Sequence, residues 1–129
     1  MALWQGISKR KITGGRIRRA RSKRRFEIGG ERQFTNLGEQ KTLHHRTTGG
    51  DSKRRVLAAS ICNLYIPKEK KTVKAKILTV KENPSNPNYV QRNIITKSAL
   101  VGTDMGDALI TSRPGQDGVI NARLISAKK

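Results

Sequence analysis

Seventeen consecutive residues near the amino terminus include ten lysines or arginines and no acidic residue. This basic run is KRKITGGRIRRARSKRR, from Lys9 to Arg25. Its only apolar side chains, Ile12, Ile17 and Ala20, bury too little surface to offset the entropy of ordering the chain. Like charges one helical turn apart also repel one another, which disfavours an isolated helix. The basic run is therefore expected to take a fixed shape only against a polyanion.

Two pairs of adjacent glycines lie beside clusters of cations. Gly14-Gly15 interrupts the basic run, and Gly49-Gly50 comes shortly before Lys53-Arg54-Arg55. Glycine lets backbone N–H groups turn outward and approach a phosphate closely. We expect both pairs to be backbone–phosphate contact points, and the alternative is two solvated turns that happen to be rich in glycine.

The charge of the chain points to an anionic partner. The 129 residues carry a formal net charge of +19, and the isoelectric point is near 11.2. Residues 1–55 hold sixteen Lys or Arg against four acids, and residues 56–129 hold twelve against five. Apolar residues are concentrated in the second part. We therefore expect a basic, RNA-threading extension and connection over residues 1–55 and a β-barrel domain over residues 56–129.

The cysteine content and the amino terminus indicate the compartment. Cys62 is the only cysteine, which excludes an internal disulfide and a cysteine-based zinc cluster. The start MALWQGISKRK lacks the apolar stretch of a signal peptide, and nothing in the chain approaches a membrane span. We expect a soluble, cytoplasmic protein without membrane contact. Cys62 itself lies in an apolar run and is expected to be a core residue.

From Val56 onward the apolar residues alternate with a period of two, which is typical of strands. Both faces of VLAASICNLYI, residues 56–66, are apolar, so this stretch predicts one buried strand. TVKAKILTV, residues 72–80, predicts a half-exposed strand whose outer side carries Lys74 and Lys76. Residues 26–43 predict an irregular connection. Further strands are expected at Tyr89–Thr96, Ser98–Thr103, Asp107–Ser112 and Val119–Ile125.

Turn residues separate these stretches, and no segment has a 3.6-residue apolar stripe. Asn83–Asn88, Asp104–Gly106 and Arg113–Gly118 are rich in Asn, Pro, Asp or Gly. About six short strands at regular spacing predict a small barrel, because closure removes exposed strand edges. The predicted fold is all-β: a small antiparallel β-barrel of about six strands with a long, basic, irregular N-terminal extension.

The polar residues that are candidates for chemistry have simpler explanations. His44 and His45 are adjacent, so in a strand they face opposite ways, and we expect RNA contact rather than metal binding. Asp104, Asp107 and Asp117 fit turns, with a cation site shared with RNA as the alternative. The chain has none of the phosphate-loop, GxSxG or HExxH motifs. We expect no enzyme activity, no small-molecule substrate, no cofactor and no resident metal.

Aromatic residues are scarce: Trp4, Phe26, Phe34, Tyr65 and Tyr89 are the only ones. Single-strand binders usually stack bases on aromatic side chains across a sheet. Their scarcity favours recognition of folded, double-helical RNA through its backbone and shape, with Arg and Lys neutralising phosphates.

Five motifs together resemble one known family. They are KITGGR at 11–16, FEIG at 26–29, TGG at 48–50, RNIITK at 92–97 and TSRPGQDG at 111–118. The chain resembles the eukaryotic/archaeal-type ribosomal protein eight of the small subunit, the S8e family, from about Trp4 to Ile125. Only Asp104-Met105-Gly106 stands where eukaryotic relatives carry a long basic insertion, so the likeness is to the compact archaeal form.

This resemblance implies a structural constituent of the small ribosomal subunit that supports subunit assembly and translation. Its barrel would carry an extension that threads among rRNA helices, and a basic barrel surface would also bind and brace rRNA. Its partners would be small-subunit rRNA and neighbouring ribosomal proteins. With the charge pattern, the resemblance gives the expected RNA-binding residues: Lys9, Arg10, Lys11, Gly14, Gly15, Arg16, Arg18, Arg19, Arg21, Lys23, Arg24, Arg25, His44, His45, Arg46, Gly49, Gly50, Lys53, Arg54, Arg55, Arg92 and Arg113.

One position departs from the family pattern. Asp51 follows the second glycine pair where relatives commonly carry Asn, and a carboxylate is a poor neighbour for a phosphate. Lys53 to Arg55, or an rRNA-associated magnesium ion, would have to compensate for it. The alternatives to a ribosomal role are a DNA-compacting or membrane-surface basic protein and a small hydrolase that uses Asp104, Asp107 or His44.

Overall fold

The computed structural model describes residues 3–127, and short strands dominate it. The chain divides into two compact units, Met1–Arg32 and Gln33–Lys129. In the first unit, β1 (Leu3–Trp4) pairs antiparallel with β2 (Ile28–Gly29), directly after a 3-10 turn at Arg25–Glu27. None of the described residues up to 32 is buried. The long irregular extension expected from the sequence is therefore not evident, because hydrogen bonds close this stretch into a small unit without a core.

The second unit holds the remaining strands and two helices of four residues each. The strands are β3 (Thr35–Leu37), β4 (Lys41–Arg46), β5 (Ser52–Ala59), β6 (Ile61–Ile66), β7 (Lys71–Glu82), β8 (Ile94–Ile95), β9 (Leu100–Thr103), β10 (Gly106–Ile110) and β11 (Asn121–Ala127). The helices are α1 (Asn88–Gln91) and α2 (Pro114–Asp117). Among the described residues, no helix is long and apolar enough to cross a membrane.

Five strands close into a barrel in the order β10-β11-β6-β7-β9. All neighbours are antiparallel except β11 and β6, which are parallel over Asn121–Arg123 and Asn63–Tyr65. The all-β class and the closed barrel are thus confirmed, whereas the strand number is five rather than six and the barrel is not purely antiparallel. Its interior holds the alternate side chains of these strands, among them Cys62, Leu64, Ile77, Val101 and Ile110.

A second sheet, in the order β4-β5-β3-β8, accounts for the difference in strand number. The stretch 56–66 is not one strand: β5 ends at Ala59 in this sheet, and β6 begins at Ile61 in the barrel. The single-strand prediction for 56–66 is therefore wrong, because apolar alternation continues through Ser60 while the chain changes sheets. The prediction of a strand over Tyr89–Thr96 is also wrong for its first residues, which belong to α1. Only Ile94 and Ile95 of that range form a strand, β8.

The connection predicted at residues 26–43 also contains regular structure. β3 lies within it and pairs parallel with β5 and antiparallel with β8. The buried Thr35 hydroxyl donates to the Val56 carbonyl at 2.6 Å, which fixes β3 beside β5. β5 runs across the expected boundary between residues 55 and 56, and the second unit begins at Gln33.

The outer face of β7 matches its prediction. Ala75 and Ile77 are buried, while Lys74 and Lys76 are exposed. The Asp104–Gly106 connection is confirmed as the tight link between β9 and β10, where the Thr103 hydroxyl donates to the Gly106 carbonyl at 2.7 Å. The barrel thus keeps its cations on the outside.

Candidate nucleic-acid interface

Residues 9–17 of the basic run form a compact loop. The Ile17 amide donates to the Lys9 carbonyl at 2.9 Å, and the Lys11 amide donates to the Gly15 carbonyl at 2.8 Å. The turn is closed by the Gly14 amide, 3.0 Å from the Lys11 carbonyl, at a φ of +84° that favours glycine. These bonds give the basic run a local shape while burying none of it.

The glycines of this loop lie open to the outside. A Cβ added at Gly14 would meet nothing within 4 Å, so the glycine there serves the backbone conformation rather than a contact inside the chain. The Arg10 guanidinium donates to the Gly14 carbonyl at 2.9 Å and so holds one cation beside the turn. An anion could therefore approach backbone and guanidinium together.

A stack between Arg19 and Trp4 joins the basic run to β1. The Arg19 guanidinium carbon lies 3.5 Å from the centroid of the Trp4 ring. The Trp4 Nε1 and Arg19 Nη2 atoms both donate to the Ile7 carbonyl, at 2.7 and 2.9 Å. Cation–π attraction and these shared bonds orient Arg19. These contacts of Trp4 are therefore with residues of the first unit.

One predicted contact, Arg21, has an acidic partner. Its Nη2 and Nη1 atoms lie 2.6 and 2.9 Å from the two carboxylate oxygens of Glu27. The hydrogen bond from Arg21 and a second from the Arg24 amide lower the pKa of Glu27 to about 2. The bidentate pair raises the pKa of Arg21. Glu27 therefore offsets part of the charge that Arg21 brings to the basic run.

The second glycine pair lies at the tip of the β4–β5 hairpin, which spans residues 41–59. The Thr47 amide donates to the Asp51 carbonyl at 2.7 Å and closes the tip. Gly49 and Gly50 both have a φ of +91°, and an added Cβ at either would meet nothing within 4 Å. The tip is thus a narrow, exposed backbone turn that side chains do not cover.

The register of this hairpin decides where its cations point. His44 lies opposite Arg54, and His45 lies opposite Lys53. Directly opposed residues share a face and successive residues alternate, so the expectation that the two histidines face opposite ways is confirmed. Each face of the hairpin consequently carries a histidine and a permanent cation.

Arg55 is held more firmly than its neighbours. It is half-buried, and its Nη1 atom donates to the Gln33 side-chain oxygen at 3.2 Å. Its Nε atom is buried without a hydrogen-bond partner among the described residues. This arrangement makes Arg55 the least available of the hairpin cations for an outside phosphate.

The turn of residues 113–118, which contains α2, packs against β5 at Arg54, close to the tip of the hairpin. The Asp117 carboxylate accepts from the Arg113 amide at 2.7 Å. Gly118 ends the helix at φ +73°, and a Cβ added there would lie 2.8 Å from the Arg54 Cβ. Lys53 Nζ also reaches the Gln116 side-chain oxygen at 3.3 Å. The structure therefore brings Arg113 and the hairpin into one region, a contact that no local sequence signal predicts.

Arg92 lies in a different setting, beside two aromatic rings. Its guanidinium carbon is 5.8 Å from the Phe34 centroid, and the Phe34 and Tyr89 rings meet edge to face at 5.4 Å. Arg92 was expected to bind RNA, but the cluster around it was not predicted, because Phe34 and Tyr89 are far apart along the chain. The sequence carries no pairing signal that would have found it.

Most predicted RNA-binding residues are exposed. All 22 lie in the described part of the chain, and only Arg19 and Arg55 are half-buried. They fall into the basic run, the hairpin with the adjacent turn, and Arg92. A residue must be exposed to contact a phosphate, but exposure does not test that contact. The contacts themselves therefore stay predictions.

Asp107 and Cys62 lie in barrel strands, whereas Asp117 lies in the turn of residues 113–118. Asp107 is paired with Lys81 Nζ at 2.6 Å, and Asp117 caps the turn at Arg113. Cys62 is buried in the barrel, as predicted, and burial raises the pKa of its thiol to about 11. Within residues 3–127 no three His, Cys, Asp or Glu side chains are grouped to hold a metal ion.

Comparison with known proteins gives consistent matches over nearly the whole chain. A family model described as ribosomal protein S8e matches residues 4–125. A Picrophilus torridus protein named small ribosomal subunit protein eS8 is 50% identical over 125 residues, covering 97% of this chain and 100% of that protein. Proteins of the same name from Methanoregula boonei and Methanosarcina barkeri are 52% and 48% identical, covering 96% and 95% of this chain and 99% and 98% of theirs. The likeness therefore includes the basic run and the hairpin as well as the barrel.

Proposed function

The chain belongs to the ribosomal protein S8e family, and we propose that it is a structural constituent of the small ribosomal subunit that binds and braces rRNA. The family match confirms the resemblance read from the five motifs. The relatives are named as small ribosomal subunit proteins, and the matches cover nearly the full length of both chains. The family is one of structural ribosomal proteins, so the protein is not an enzyme. Its place would be the cytoplasmic ribosome.

The observation that carries the rRNA-binding proposal is the basic run. Ten cations in seventeen residues surround an open Gly14-Gly15 turn, and none of residues 3–32 is buried. A segment without a core gains little from folding alone and gains more from neutralising phosphates. The stack on Trp4 and the Glu27 pair would limit the conformations that remain to be ordered when RNA binds.

The hairpin with the turn of residues 113–118 would supply a second contact area. Its exposed tip presents the Gly49-Gly50 backbone, and Arg54 and Lys53 follow on opposite faces. Asp51 stays a negative charge beside these groups. The neighbouring cations, or a magnesium ion associated with the rRNA, would offset it.

The mechanism we propose is charge neutralisation rather than base reading. Arg and Lys would lie along phosphates of packed RNA helices and lower their mutual repulsion, which braces the helices. Each neutralised phosphate releases counterions, so affinity should fall steeply between low and moderate salt. Neighbouring ribosomal proteins would complete the surroundings of the barrel.

A charge-replacement variant of the full chain tests this proposal. Replacing the ten cations of the basic run by Gln should lower affinity for small-subunit rRNA by several orders of magnitude at moderate salt, because most phosphate contacts are lost. A control replaces two exposed cations of the barrel wall, Lys74 and Lys76, and should lower affinity far less for each charge removed. Unchanged affinity of the first variant would refute the proposal, as would deletion of residues 1–25 without loss of binding.

Competition with duplex DNA separates the proposal from the DNA-compacting alternative. At physiological salt, excess duplex DNA of the same length should displace little of the small-subunit rRNA. Equal displacement by DNA and RNA would favour a general nucleic-acid-binding protein.

A further inference from the structure

The outer half of the β4–β5 hairpin has no apolar face. An antiparallel hairpin normally buries one face on a core and solvates the other. Here the residues of β4 are exposed except Leu43, which is half-buried, and neither strand carries an acidic residue. One face presents His44, Arg46 and Arg54, and the other presents His45 and Lys53, with the half-buried Arg55 on the same side.

The position of the hairpin in its sheet leaves its outer half accessible. β4 is the edge strand in the order β4-β5-β3-β8. β3 pairs with β5 only at Ala58 and Ala59, well away from the tip. The turn of residues 113–118 lies along β5 at Arg54, where Gly118 packs, and it leaves His44, His45 and Arg46 exposed. Both faces are thus open near the tip.

The two faces carry charge of the same sign, and Asp51 at the tip is the acidic residue that lies between the two strands in sequence. Lys53 and Arg55 donate to the neutral amides of Gln116 and Gln33, which orient them without cancelling their charge. At the tip, Gly49 and Gly50 have no side chain, and a Cβ added at either would meet nothing within 4 Å, so the backbone there is open to a ligand. A hairpin that carries cations on both faces is complementary to negative charge on both of its sides at once.

We propose that the β4–β5 hairpin inserts between two separate RNA backbone segments and binds one of them with each face. This inference rests on the proposed rRNA-binding function and deepens it by naming the ligand as two phosphate backbones. The competing explanation is that the charges only keep the exposed edge strand β4 from pairing with another chain. In that case neither face would contact RNA.

Photo-crosslinking from adjacent residues tests the two-faced contact directly. A photoreactive amino acid is placed at position 44 or at position 45 of the full chain, which is then bound to small-subunit rRNA together with the other small-subunit proteins. Because these side chains lie on opposite faces, the two positions should crosslink nucleotides of two different RNA segments. Crosslinks to one shared segment would overturn the inference, as would a face that reaches only a neighbouring protein or nothing.

Charge substitutions give an independent measurement. Arg46→Gln alters one face and Lys53→Gln the other, and each should lower the slope of log affinity against log salt by about one phosphate contact, while the double variant lowers it by about two. Lys71→Gln, in the barrel, removes the same charge and should leave the slope nearly unchanged. Equal changes in all three single variants would mean that only net charge matters, which contradicts the inference.

The two proposals fail in different ways. If the unmodified chain binds small-subunit rRNA but the hairpin variants retain its full salt slope, the inference is wrong and the proposed function stands. If the unmodified chain does not bind this RNA at all, the proposed function itself is wrong.

Discussion

Substituting Gly118 by alanine should destabilise the contact between the hairpin and the turn of residues 113–118. The residue has a φ of +73°, where an L side chain costs about 1–2 kcal/mol. The new methyl group would lie 2.8 Å from the Arg54 Cβ and 3.3 Å from the Arg54 carbonyl oxygen. Relieving such overlap between packed groups costs about 1–3 kcal/mol. The alanine also reduces the entropy of the unfolded chain, which returns about 0.4–1 kcal/mol.

The net loss of unfolding free energy should be about 2–4 kcal/mol, a large part of the stability of an ordinary domain. At about 4–8 °C per kcal/mol for a domain of this size, Tm should fall by about 8–32 °C. Thermal and urea unfolding of the full chain, followed by circular dichroism, measure this change. RNA binding below the new Tm should also weaken, because Arg54 and Lys53 lie against this turn.

Gly115→Ala is the matched control, because it lies in the same turn. Its φ is not positive, and an added Cβ meets nothing within 4 Å. The control should change stability by less than about 1 kcal/mol and can even stabilise the helical turn. If Gly118→Ala is as stable as the natural chain, or if both variants lose equally, the reasoning about Arg54 is refuted.

Three further predictions concern single side chains. The pKa of the Glu27 carboxyl should be about 2, so its pairing with Arg21 stabilises the first unit fully above about pH 4.5 and is lost as the pH falls towards 2. In a titration followed by carbon NMR, Arg21→Gln should raise the pKa of Glu27. Cys62 should resist iodoacetamide at pH 8 until urea unfolds the barrel, since burial raises its thiol pKa to about 11; rapid native-state labelling would contradict this. Asp51→Asn should raise affinity for rRNA about two- to fivefold at low salt, because the repulsion between two like charges 4 Å apart in water is about 1 kcal/mol. A loss of affinity would instead indicate that a magnesium ion bridges Asp51 and a phosphate.

The strands of the barrel were predictable where one face of the strand is buried and the other is exposed. Ala75 and Ile77 alternate with exposed lysines, and β7 appears where that pattern lies. The change of sheet at Ser60 was not predictable, since residues on both sides of it are apolar and the period of two continues. α1 is four residues long, too short for a 3.6-residue pattern, and the Asn86 side chain that accepts from the Asn88 amide starts it locally.

The candidate interface was predictable as a list of exposed cations and not as a surface. Charge and glycine spacing mark both contact areas, because these properties are local to the chain. The pairing of Arg21 with Glu27 lowers the charge of the first area, and nothing in the spacing of six residues in a non-helical segment indicates it. The packing of Gly118 on Arg54 joins residues 64 positions apart, which only the folded chain reveals.

A density map of the small ribosomal subunit that contains this protein tests the central claim most directly. The claim predicts that the Gly14-Gly15 loop and the Gly49-Gly50 tip both lie within hydrogen-bonding distance of rRNA phosphates, with separate RNA segments on the two faces of the hairpin. A map in which residues 9–25 pack on protein, or face solvent away from RNA, would contradict it.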